Sequence, residues 1–66
     1  MYKNHDVLTP RQAAKVLTVS AETLPGWRHR GYGPDYLKIG GNVRYVYGDL
    51  VDWMNGQRVE ASARGD

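Results

Sequence analysis

Residues 20–31 read SAETLPGWRHRG, and the fold turns on whether this stretch forms a helix. Ser20 is a residue type that caps helix N-termini, Leu24 and Trp27 stand three apart as a buried stripe requires, and Arg28 and Arg30 place positive charge toward the end. Pro25-Gly26 opposes this, because a proline inside a helix lacks a backbone donor and collides with the preceding turn, a cost of roughly 3 kcal/mol. Counted from Ser20, Pro25 is the fifth helical position. Two outcomes stay open: a helix kinked at Pro25 with the Ala21 carbonyl left to water, or a helix whose start is delayed. With Leu24 and Trp27 inward, a 3.6-residue period turns Glu22, Pro25, Gly26 and His29 outward, with Thr23 and Arg30 on the flank.

Immediately upstream, LTPRQAAKVL (residues 8–17) carries three coincident start signals: Thr9 as cap, Pro10 at the first helical position, and Gln12 reaching back to complete a capping box. Ala13, Ala14, Val16 and Leu17 supply an apolar face whose small residues let a second helix approach closely. Only Thr18 and Val19 separate the two helices, which is helix-turn-helix spacing. Downstream, Gly31 and YGPD (residues 32–35) end helical structure. YLKI (36–39) and VRYVY (43–47) then flank Gly40-Gly41-Asn42 and read as a β-hairpin. A three-residue loop keeps the faces unmixed, pairing Ile39 with Val43 and Lys38 with Arg44, and turns Leu37, Ile39, Val43 and Tyr45 inward. Asp49 favours the start of a third helix that buries Leu50, Val51, Trp53 and Met54 before Asn55-Gly56 ends it. The predicted architecture is a small α+β winged helix-turn-helix at residues 7–55, between a flexible lead-in (1–6) and a flexible polar tail (56–66).

Sixty-six residues make one domain with a small core. The absence of cysteine excludes disulfides and thiolate metal sites, and His5 and His29 alone make no ligand set, so no metal or other cofactor is expected. MYKNHD lacks the apolar centre of a signal peptide, and no apolar run approaches the ~20 residues that cross a bilayer, which predicts a cytoplasmic protein without a membrane partner. No nucleophile with its base, no carboxylate pair in a pocket and no phosphate-cradling loop can be found, so no catalytic residue is assigned. The net charge is only +2, but the tail charges Arg58, Glu60, Arg64 and Asp66 cancel, leaving the excess in the folded part. Lys38 directly opposite Arg44 would be a like-charge pair that an anion such as DNA phosphate relieves. Trp27 and Trp53 lie in core stripes and read as structural. Tyr32 is open between a partner contact and turn lining.

LTPRQAAKVL, a serine-led helix with T-L-x-x-W, K-I-G with V-R-Y, and D-L-x-x-W, taken in that order, resemble the MerR-like winged helix-turn-helix family that includes phage excisionases. The resemblance implies a recombination directionality factor that binds repeated sites in phage attachment DNA, bends it, and directs a tyrosine integrase toward excision, with copies of itself bound cooperatively. It matches Glu22 and Thr23 to groove-facing positions and Arg28 and Arg30 to the basic end of a recognition helix in the major groove, and with Ser20, Gly26 and His29 of the same helix these form the expected DNA-binding surface. Lys38, Gly41, Asn42 and Arg44 fall on a wing in the minor groove. Pro25-Gly26 stands where the family carries long basic side chains, and the wing tip has no arginine, which implies weak base discrimination by one copy and shallow wing insertion. A phage transcriptional regulator of the same fold and a phage-encoded protein-interaction module are the alternatives; the shortness of the chain leaves no room for an effector domain and favours the excisionase.

Overall fold

A computed structural model describes residues 1–60. The elements are β1 (Val7–Leu8), α1 (Pro10–Leu17), α2 (Thr23–His29), β2 (Leu37–Ile39), β3 (Asn42–Val46) and α3 (Tyr47–Gly56). The strands form an antiparallel sheet in the order β1-β3-β2, and the whole is a winged helix-turn-helix.

The α1 start forms as its three signals require. The Thr9 amide donates to Gln12 Oε1 at 2.9 Å, the Gln12 amide donates to Thr9 Oγ1 at 3.2 Å, and Pro10 takes the first position. Ala13, Ala14 and Leu17 are buried with Leu8, Leu24, Tyr45 and Leu50 in one core. The turn into α2 is made by Thr18, which adopts the left-handed conformation (φ 56, ψ 43) while Val19 donates to the Ala14 carbonyl at 3.0 Å. This 6→1 closure, with Thr18 donating to the Lys15 carbonyl at 3.2 Å, turns the chain out of α1, at the cost of placing a β-branched side chain where glycine is at ease.

Pro25 resolves in favour of the delayed start. The Thr23 amide donates to the Ser20 carbonyl at 3.1 Å in a preliminary turn, and α2 proper begins at Thr23, so Pro25 is its third residue. None of the first-turn amides has an intrahelical acceptor, so the missing donor costs no hydrogen bond. The role expected of Ser20 changes accordingly. Its Oγ lies 2.9 Å from Thr23 Oγ1, and Glu22 occupies the cap position without a side-chain cap bond.

The hairpin register differs from the expected one. Leu37 pairs with Arg44, Lys38 with Val43 and Ile39 with Asn42, around a two-residue turn in which Gly40 and Gly41 both have positive φ (58° and 87°). Two consecutive left-handed residues are what the primed hairpin turns need, and the Gly40-Gly41 pair adopts them without strain. The shift by one residue exchanges the faces of β2. Leu37 and Ile39 are exposed at 40% and 52% rather than inward, while Tyr45 is buried and Val43 half-buried as expected.

β1 is an element beyond those the sequence predicts, because two residues are too few to show alternation; Val7 pairs with Val46 and Leu8 with Tyr45. The segment before it makes a turn, Asp6 donating to the Lys3 carbonyl at 2.9 Å, and presents two acceptors to α3. The Tyr47 amide donates to the Asp6 carbonyl and the Gly48 amide to the Asn4 carbonyl, each at 2.9 Å, satisfying helix-start donors for which α3 has no side-chain cap. In α3, Leu50 is fully buried and Val51, Trp53 and Met54 are half-buried. Beyond it, Gln57 and Arg58 donate to the Met54 and Asn55 carbonyls, and Val59 is 86% exposed. The part of the tail expectation that concerns residues 61–66 lies outside the described residues.

Candidate nucleic-acid interface

Leu24, with no exposed surface, and the half-buried Trp27 orient α2, so the opposite side faces out as the 3.6-residue period requires. Glu22, Pro25, Gly26, His29 and Arg30 are exposed, with Ser20 exposed just before the helix and Thr23 half-buried on its flank. Arg28 stands apart. It is half-buried, its Nη1 donates to the Tyr45 hydroxyl at 2.8 Å, and its guanidinium carbon lies 5.7 Å from the centroid of the Tyr36 ring. Nothing in the spacing of residues 28, 36 and 45 discloses this contact.

On the wing, Lys38, Gly41 and Asn42 are exposed and Arg44 is half-buried, its Nη1 donating to the Val43 carbonyl at 2.7 Å. Because paired residues share a face, Lys38 projects on the side of Val43, and Arg44 on the side of Leu37. The directly opposed like-charge pair does not exist, and the inference that an anion relieves it falls with it. What remains is two cations on opposite faces of a narrow two-stranded blade with a glycine tip.

The recognition helix, the connection after it and α3 meet in an aromatic cluster. The Trp27 and Trp53 ring centroids are 5.2 Å apart, and Tyr32 meets both edge-on at 5.3 and 5.8 Å. Both tryptophans are thus engaged in packing. Tyr32 lines the turn, with its hydroxyl 3.4 Å from Gln57 Oε1, and keeps 48% of its surface exposed. A groove of about 360 Å³ at the start of α3, lined by Asn4, His5, Gly48, Asp49 and Asp52 among others, contains none of the helix or wing candidates. Its carboxylates repel phosphate rather than attract it. Among the described residues, no three histidine or acidic side chains come together to hold a metal, and no helix is long and apolar enough to cross a membrane.

An exposed polar helix face presented by a short turn, residues 18–22 rather than the two residues expected, with a hairpin blade beyond it, is the arrangement by which small domains enter DNA grooves. The comparison of sequences agrees, matching a helix-turn-helix domain family over residues 7–58. The chain belongs to that family. The helix-turn-helix family is a DNA-binding one and not a catalytic one, so the exposed face of α2 is read against double-stranded DNA and not against a small substrate. No curated protein matches the chain.

Proposed function

We propose that this helix-turn-helix protein is a recombination directionality factor of the excisionase type, acting on DNA in the bacterial cytoplasm. In this reading it binds repeated sites in phage attachment DNA through α2 in the major groove and the β2-β3 wing in the minor groove. Neighbouring copies bind cooperatively, bend the duplex and direct a tyrosine integrase toward excision. The observation that carries it is the composition of the exposed α2 face. Glu22, His29 and Arg30 are its polar side chains, and Pro25-Gly26 occupies the middle with none. One copy therefore makes few base contacts, and a specific complex needs several copies on repeated sites together with phosphate contacts. Glu22 supplies the sharpest base contact, since a carboxylate accepts from cytosine N4 and is repelled by phosphate everywhere else.

Electrophoretic mobility shift on attachment-site duplexes tests the reading. A ladder of successive complexes, together with integrase-dependent excision that requires this protein, is the expected result. A single discrete complex at a promoter would assign a transcriptional regulator, and no shift on any duplex would assign a protein-interaction module.

A further inference from the structure

The basic residues at the end of α2 are not equivalent. Arg30 is exposed, whereas Arg28 is turned back beneath the wing, with its guanidinium bonded to Tyr45 and set over Tyr36. The two tyrosine rings are 6.1 Å apart, and Tyr45, in the central strand of the sheet, is 99% buried, being only 1% exposed. Arg28 thus joins the last turn of the helix to a fixed point at the base of the wing, 17 residues along the chain. Leu24 and Tyr45 also share the core, but among the described residues this is the side-chain hydrogen bond between the helix and the hairpin. The backbone of α2 packs most closely against α1, and Leu37 and Ile39 of β2 project into solvent rather than onto the helix. A planar guanidinium, held at one edge by a hydroxyl and on one face by a ring, has a defined orientation that a lysine ammonium does not reproduce.

We infer that Arg28 is a positioning residue that sets the angle between the recognition helix and the wing through Tyr45 and Tyr36, so that the two enter adjacent grooves as one unit. This rests on the reading in which both elements meet DNA, and it differs from a role for Arg28 as one more phosphate contact. The two roles separate in variants that keep the positive charge. Tyr45→Phe removes only the acceptor oxygen, and Arg28→Lys keeps the cation but loses the planar geometry.

Residual dipolar couplings of the free protein read the angle directly. One alignment tensor should describe α2 and the hairpin in the wild type, while in both variants the hairpin should need a separate tensor of smaller magnitude and α2 should stay with α1. On duplex DNA, both variants should bind about tenfold more weakly, with wing protection in hydroxyl-radical footprints lost before helix protection. The slope of log affinity against log salt should be unchanged, because no phosphate contact has been removed. The double variant should be no weaker than either single one, since both break the same link. A single tensor in both variants overturns the proposal, as does wild-type DNA binding by both combined with a slope lowered by about 0.9 in Arg28→Gln, which would make Arg28 a phosphate contact. If Tyr45→Phe does not fold, Arg28→Lys carries the same test, because that side chain lies outside the core. A wild type that binds no duplex overturns the function proposed above and leaves the couplings to decide the role of Arg28.

Discussion

A Cβ atom placed on Gly33 would lie 3.0 Å from Cε3 of Trp27. Gly33 also has φ +96°, a conformation that L side chains rarely adopt, so it meets two separate demands for glycine. Gly31 meets only one, with φ +67° and open space around it. Gly31→Ala should therefore cost about 1 kcal/mol of backbone strain, and Gly33→Ala at least about 2 kcal/mol, because the methyl also displaces the indole from Trp53 and Tyr32. In a domain of this size each kcal/mol lowers Tm by roughly 4–8 °C, so differential scanning calorimetry resolves the pair. Equal losses in the two variants would show that the Trp27 contact yields freely.

Thr18 gives the opposite sign. It is the one non-glycine residue at positive φ among the described residues, and its side chain is exposed. Asparagine tolerates the left-handed region far better than a β-branched residue, so Thr18→Asn should raise stability by about 1 kcal/mol and Tm by several degrees. Thr18→Val, equally branched, should give no gain.

Local signals account for most of what could be read ahead of the structure. The Thr9-Gln12 box, the α2 stripe through Leu24 and Trp27, and the α3 stripe through Leu50 and Trp53 are short-range patterns, and each forms where its spacing places it. The hairpin register departs from the expected one because face alternation favours a three-residue loop, whereas the Gly40-Gly41 pair supplies a two-residue turn and leaves Leu37 and Ile39 exposed. The wing extends past the core, so burial exerts little control over its faces. β1 and the link from Arg28 to Tyr45 depend on residues far apart in sequence, for which a single chain offers no periodic signal.

The register sets what the wing cations do. Lys38 and Arg44 project from opposite faces of the blade, so a wing seated in a minor groove offers one to each flanking phosphate strand. Lys38→Gln and Arg44→Gln should each lower the slope of log affinity against log salt by about 0.9, and the double variant by about 1.8, with little change in sequence preference. Fluorescence anisotropy across a salt series measures this. A blade lying flat against one strand would give the full effect in one variant and none in the other.

Pro25-Gly26 gives the most direct test of whether the α2 face meets DNA, because stability and binding now separate cleanly. Pro25 lies in the first turn and breaks no hydrogen bond, so replacing it relieves no helix-breaking cost and instead loosens the unfolded chain, a loss of roughly 0.4–1 kcal/mol. Gly26 lies inside the helix with nothing within 4 Å of an added Cβ, so a longer residue there should gain about 1 kcal/mol of propensity. In Pro25→Arg/Gly26→Arg the two changes nearly cancel, and Tm should move by only a few degrees. DNA binding should not stay still. Two guanidinium groups added to the exposed face should strengthen binding at low salt and steepen the salt slope by up to about 1.8. An unchanged slope with a folded variant would mean that the face carrying Glu22, Gly26 and His29 points away from the duplex, and that another surface of the helix-turn-helix domain makes the contact.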